Sequence, residues 1–360
     1  MHRIVIPQHP DEITPDWLTQ TLRRSGVLDS RVRVRDVSLD DPGRNASYAG
    51  YVSRVSIEYD GDHARPPATM ILKLPAPERM IQRLFRSIYR KEVLFYRHLA
   101  HQSTMPVPDC YAALTNRDSS RTLLLLEDLT RHATIGDHDD GCSFEQASHA
   151  LSTLARFHAA WWMHPELEKY PWLGRYRVDS RQNWAIYAGA WLPFMIRLGR
   201  VTPDEALGLF RSLWRYRHRL IELEAGRPHS LQHGDFRLAN LAFSPDDVYA
   251  FDWQVVRIGP PMFDVAWFIL TAFQNHERHQ FEAELLRSYH VALVGSGVVA
   301  YSFEEMIEDY RFALLLAIPQ IMVIGGFLRM DPERKAMIVE LLHRFEAMRQ
   351  DHELNALLER

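Results

Sequence analysis

Short strand-like runs rich in apolar residues dominate the first third of the chain. Residues 32–39, 51–59 and 68–74 are three such runs, and Asp60-Gly61 supplies a turn after the second. Two more strands fit 109–114 and 122–126. Ahead of them, Ile13, Trp17, Leu18, Leu22 and Leu28 give residues 11–28 a helical apolar stripe, closed by Gly26. A second helix, rich in Arg and Leu, fits 78–100. The pattern predicts a small β-rich lobe of five strands and one inserted helix.

After Glu127-Asp128-Leu129 the period lengthens to that of a helix. Helices are expected over 144–164, 181–198 and 203–223, and again from Pro261 to the end, with short strands between. The shift predicts two lobes, residues 1–128 and 129–360, with a hinge near 129. The longest apolar run, 312–328, approaches the length of a membrane span. Pro319, Gln320, Gly325 and Gly326 interrupt it, whereas a clean span needs about 20 apolar residues. A buried helix kinked at Pro319 is expected there, and no membrane span.

Composition narrows the class. The net charge of −4 and pI near 6.5 give no basic footprint for nucleic acid. Cys110 and Cys142 are too few for a disulfide framework and read as reduced thiols of a cytoplasmic protein. The 18 histidines show no Cys/His metal spacing, and the N-terminus lacks the apolar core of a signal peptide. Nothing in the pattern specifies an oligomeric state.

The chemistry concentrates between Leu231 and Ile269. The chain there reads LQHGDFRLANLAF, then VYAFDWQVVRIG, then PPMFDVAWFI. Three acids, Asp235, Asp252 and Asp264, interrupt short apolar runs, and Asn240 follows Asp235 by five residues. Such spacing suits two short strands meeting at one polar cleft. An Asp on the loop before the first strand can accept a proton. Asn240 and Asp252 can hold Mg²⁺ through oxygen, the ligand type this hard cation demands. A base for an acceptor hydroxyl and two metal ligands for nucleotide phosphates are the parts of phosphoryl transfer.

The run H-G-D-x-x-x-x-N followed by D-W-Q resembles the aminoglycoside phosphotransferase and choline kinase-like superfamily. With G-P-P-x-x-D it spans about forty residues. The resemblance is closest to the branch containing ecdysteroid kinase-like proteins, whose second segment reads D-F-Q or D-W-Q. It implies an α+β, protein-kinase-like bilobal fold and an ATP-dependent small-molecule kinase. It also implies Asp235 as catalytic base, Asn240 and Asp252 as magnesium ligands, and Asp264 as a buried brace of the catalytic loop. His233 then tethers that loop, Gly234 frees its turn, and Arg237 either nears the γ-phosphate or is a surface arginine.

The same resemblance assigns a nucleotide half. Lys73, on the third strand, pairs with Glu92 of the following helix to position phosphates, with Glu78 as the alternative partner. The loop between the first two strands lacks GxGxxG. Its G-R-N-A-S resembles a G-x-N-x-A-S run, which makes Gly43, Asn45, Ser47 and Gly50 candidate phosphate contacts; an ordinary polar hairpin is the other reading. LLLLEDL becomes the adenine-reading hinge, flanked by Glu127 and Leu129.

For the acceptor, the later helices are rich in aromatic residues such as Trp161, Trp184, Trp191 and Trp267. Glu304, Glu305, Glu308 and Asp309 look like a solvated face beside Arg311. An apolar pocket with few polar groups favours a hydroxylated steroid- or terpenoid-like alcohol. The alternatives are an aminoglycoside or choline-type kinase, or an inactive kinase-like binding protein. The chain carries no HRD, DFG or APE motif of a protein kinase.

Overall fold

The computed structural model describes residues 5–40, 46–47, 50–60, 66–76, 79–116, 121–138, 141–328 and 330–359. They form a mixed fold with an antiparallel sheet in the N-terminal part and a mostly helical remainder. The chain divides into two compact units. One comprises Met1–Thr134 with Ser244–Val255, the other Ile135–Phe243 with Val256–Arg360.

In the first unit, helix α1 (Pro15–Arg24) starts at Thr14, whose hydroxyl accepts the Trp17 N–H at 3.2 Å. It ends where Gly26 takes φ 76° and the amides of Val27 and Leu28 fold back onto the Leu22 carbonyl. The strands are β1 (Arg33–Leu39), β2 (Ala46–Ser47), β3 (Gly50–Asp60) and β4 (Thr69–Pro75). After α2 (Arg79–His98) come β5 (Cys110–Thr115) and β6 (Thr122–Glu127). They pair antiparallel in the order β1-β3-β4-β6-β5, with the two-residue β2 added on β3. The five expected strands are present, and β2 makes a sixth.

The period of two decides where Lys73 goes. On β4, Met70, Leu72 and Leu74 are buried in a core with Leu18 and Leu22 of α1 and Val55 of β3. Lys73 therefore lies on the opposite face of the sheet, where it meets Glu92 of α2. Segment Ser244–Val255 is fastened to this unit by its own contacts. The Ala250 N–H donates to the Pro106 carbonyl, and Trp253 stacks on Phe95 with centroids 4.1 Å apart.

The second unit holds helices α3 (Phe144–Ala160), α4 (Arg181–Leu198), α5 (Asp204–Ser212) and α6 (Arg217–Glu224). Beyond them lie α7 (Met262–Ala272), α8 (Asn275–Gly295), α9 (Phe303–Phe327), α10 (Pro332–Asp351) and α11 (Leu354–Glu359). The single helix expected over 203–223 is broken into α5 and α6. The Ser212 hydroxyl donates to the Gly208 and Leu209 carbonyls, and tighter three-residue bonds follow at Arg215 and Arg217.

Every residue of α7 is buried, which marks it as the central helix of this unit. Helix α9 contains Pro319 and runs unbroken for 25 residues. Among the described residues it is the one helix long and apolar enough to cross a membrane, yet 67% of its most apolar window is buried inside the protein. Gly325 and Gly326 let it approach α4 closely: a Cβ at Gly326 would lie 2.6 Å from the Ala190 carbonyl oxygen. The expected solvated face of α9 is only partly so. Asp309 is buried, because it shares the stripe of Met306, Tyr310 and Ala313. It bonds Arg227 and accepts the Tyr301 hydroxyl at 2.7 Å.

Candidate active site

The strand Ser230–Gln232 runs antiparallel to Arg257–Gly259 and delivers the chain into the loop His233–Arg237. Asp264, in the first turn of α7, anchors that loop. Its Oδ2 accepts the His233 N–H at 2.7 Å and its Oδ1 the Gly234 N–H at 2.8 Å. The carboxylate is fully buried, and His158 and Tyr289 extend the network behind it: His158 Nε2 lies 3.3 Å from Asp264, and Nδ1 lies 2.8 Å from the Tyr289 hydroxyl. This is the brace expected of Asp264. Gly234 takes φ 84°, a conformation that glycine reaches without a Cβ penalty. His233 Nδ1 accepts the Asp235 N–H at 3.3 Å, so the histidine ties the turn together.

Asp235 emerges from this turn with both oxygens engaged. Trp267 Nε1 donates to Oδ1 at 2.9 Å, and Asn240 Nδ2 donates to Oδ2 at 3.0 Å. Arg237 Nε also lies 3.2 Å from Oδ2, so Arg237 faces the carboxylate. The Asn240 amide nitrogen is further held by the Asp235 carbonyl at 2.8 Å. That leaves the amide oxygen of Asn240 as the group suited to a hard cation. Gln320 of α9 reaches the Gly234 carbonyl at 3.4 Å and brings that helix to the loop.

In the first unit, Lys73 Nζ sits 2.6 Å from Glu92 Oε1 and 2.7 Å from Asp252 Oδ1. Burial alone would lower the lysine, but two carboxylates around one ammonium outweigh it and hold the charge more firmly than usual. Burial pushes the Glu92 carboxyl up, with Lys73 opposing. Asp252 is held at φ 68°, a left-handed backbone that aspartate tolerates at a cost and that recurs at functional sites. Gln254 Nε2 also donates to Asp252 Oδ1, at 2.5 Å. Among the described residues no group of three or more His, Cys, Asp or Glu gathers as a metal cage. The Asp252 carboxylate and the Asn240 amide are each oxygen donors, the ligand type that Mg²⁺ takes.

A narrow cavity beside Lys73 is lined by Gly50, Tyr51, Val52, Glu92 and Gln254. Gly50 is required there, since a Cβ would fall 2.5 Å from the Leu74 carbonyl oxygen. Gly43, Asn45 and the alternative partner Glu78 lie outside the described residues, and of Ser47 only the backbone is described. Glu127 ends β6 and accepts the Asp109 N–H at 3.2 Å, while Leu129 is buried in the turn that follows. Between them, Asp128 takes Arg54 Nε at 2.8 Å and the Thr130 hydroxyl at 2.6 Å.

Sequence reasoning passed over Trp267 as core, Asp128 as part of a hinge, and Arg257 altogether. The Arg257 guanidinium lies 4.8 Å from the Tyr176 ring centre and 4.9 Å from that of Phe263, and its Nε donates to Gln232 at 2.9 Å. The spacing of Phe263, Asp264 and Trp267 on one helix was the available signal, since residues three and four apart share a face.

The sequence profile of the phosphotransferase enzyme family matches residues 57–300. The chain belongs to this family. It is a small-molecule phosphotransferase with an alcohol group as acceptor. No curated protein sequence matches the chain. Among solved structures, the phosphotransferase is similar to APH(2")-IIia in its GDP and kanamycin complex, with TM-score 0.55 and 11% identity over 92% of this chain and 98% of the other. A choline/ethanolamine kinase family protein from Mesorhizobium loti gives 0.51 and 12%, covering 90% and 93%. A putative aminoglycoside phosphotransferase from Ralstonia eutropha JMP134 gives 0.51 and 16%, covering 91% and 97%. At these identities the likeness shows the fold, and the fold is protein-kinase-like.

Proposed function

We propose that this phosphotransferase moves the γ-phosphate of ATP to a hydroxyl of a small, largely apolar alcohol, steroid- or terpenoid-like in character. Residues 1–128 act as the nucleotide lobe and 129–360 as the lobe that receives the acceptor. The observation that carries the reading is the fixed carboxylate of Asp235, held at both oxygens on a braced loop. Asp235 orients the acceptor hydroxyl and takes its proton. The hydroxyl oxygen forms the new bond to the γ-phosphorus, and the bond to the β–γ bridging oxygen breaks. ADP leaves with that electron pair.

Lys73, fixed by Glu92, steadies the α- and β-phosphates, with Gly50 beside them. Glu127 and Leu129 flank the adenine contact. Asn240 and Asp252 are the residues that would hold Mg²⁺, whose charge would offset that of the phosphate oxygens.

The apolar character of the acceptor is supported by the helices near the loop. Helix α4 has no Asp or Glu, and beyond Asp309 neither does α9. Val323 and Ile324, partly exposed, and Phe327, exposed, continue α9 from Gln320. A polycationic sugar would find no carboxylates on those stretches to pair with its charges.

The test is Asp235→Asn. Turnover should fall by about 10²–10⁴-fold while Mg·ATP binding persists. Near-parental turnover removes Asp235 from the role of base. Phosphorylation of kanamycin faster than any terpenoid or steroid alcohol removes the apolar acceptor.

A further inference from the structure

Arg257 is a charge on which Asp264 and Asp235 act only from beyond ion-pair distance. Its guanidinium is packed against the faces of Tyr176 and Phe263, and Gln232 Oε1 takes its Nε. No described carboxylate lies within ion-pair distance of it, although the other arginines of this neighbourhood, Arg175, Arg177 and Arg227, each have one. Gln232 is itself fully buried and tied to the Pro260 carbonyl, so the guanidinium is held in a set orientation. The side chain is half-buried.

Its position relative to the base gives this charge a meaning. Phe263 stacks parallel to Trp267, with centroids 6.3 Å apart and planes 6° from parallel, and Trp267 donates to Asp235. One aromatic layer thus separates the Arg257 guanidinium from the residue that fixes the base. Four consecutive groups, Asp235, Trp267, Phe263 and Arg257, are linked by direct contact within the second unit.

We infer that Arg257 determines acceptor specificity: the alcohol carries a carboxylate, which the terminal nitrogens of Arg257 bind while its hydroxyl lies at Asp235. A guanidinium edge matches a planar carboxylate with two parallel hydrogen bonds, and a preorganised arginine spends little entropy in making them. The inference rests on the phosphotransferase reading of Asp235 and leaves the transfer step unchanged.

Cholic acid and ω-hydroxylauric acid, each beside its methyl ester, test it through ADP release and through calorimetric binding of each probe. Each acid should exceed its ester in kcat/KM by about tenfold or more, the worth of a charged hydrogen bond. Arg257→Gln should bring the acids down to the esters, leave the esters and Mg·ATP affinity unchanged, and weaken acid binding about tenfold. Arg257→Lys, which keeps the charge without the fork, should recover part of the preference. Acids and esters used alike by the parent enzyme, or acid binding that Arg257→Gln does not change, overturn the inference. So does a loss in Arg257→Gln that is equal for acid and ester, which marks a structural role. Failure of the base assignment shows separately, as ADP release that survives Asp235→Asn.

Discussion

Trp267 donates its indole N–H to Oδ1 of Asp235 at 2.9 Å, across 32 residues of chain. With Asn240 on the other oxygen, the carboxylate cannot rotate without giving up a bond. Orientation of this kind matters for transfer, because a displacement of about 1 Å can cost about a hundredfold in rate. Trp267→Phe keeps an aromatic ring in place and removes only the donor and part of the volume. We expect kcat to fall by about tenfold or more with Mg·ATP affinity unchanged, as read by steady-state kinetics and calorimetry. Parental kcat would show that Asn240 alone suffices to orient the Asp235 carboxylate.

Asp264 satisfies two backbone donors, one on each oxygen, in a site with no water access. An asparagine there offers one acceptor oxygen and turns an NH₂ toward the second donor. Asp264→Asn should therefore lower stability by about 1–3 kcal/mol in urea melts, the cost of a buried unsatisfied donor. Turnover should fall as well, since the loop carrying Asp235 loses its anchor. A melt indistinguishable from the parent's would mean the loop is braced by His233 instead.

Lys73 serves two carboxylates at once, Glu92 at 2.6 Å and Asp252 at 2.7 Å. Lys73→Met leaves both without their cation, and removing one partner of a buried pair costs about 3–5 kcal/mol. The double variant Lys73→Met/Glu92→Leu should regain part of that stability, because one of the stranded charges is gone. Nucleotide binding should remain lost in both. Full nucleotide affinity in the double variant would exclude Lys73 from phosphate contact.

Asp128 gives the acid limb of stability a defined sign. Burial opposes its charge, but hydrogen bonds from Thr130 and Arg54 outweigh that and hold its carboxyl below the usual aspartate range. A lowered value in the folded state means a contribution present in full above the ordinary aspartate range and lost as pH falls through the folded value. Asp128→Asn should flatten the decline in melting temperature between about pH 5 and about pH 3. An acid limb as steep as the parent's assigns that decline to other carboxylates.

Local rules made much of this protein legible without coordinates. The run 68–74, with Lys73 among apolar residues, is legible as a strand, and β4 forms there. The spacing of Asp235, Asn240, Asp252 and Asp264 pointed to phosphoryl transfer, and the buried brace at Asp264 is found as expected. These features follow from neighbours in the chain, whose geometry the backbone fixes. Other features depended on where distant segments come to rest. Asp252 reaches Lys73 across 179 residues, and Asp309 leaves an apparently solvated acidic face because its helix turns that position inward, where Arg227 meets it. Arg257 reads as one arginine among many until Tyr176 and Phe263 close around it. No local period encodes such partners, because burial and the pairing of charges are set by the packing of whole elements, and only the tertiary structure decides that packing.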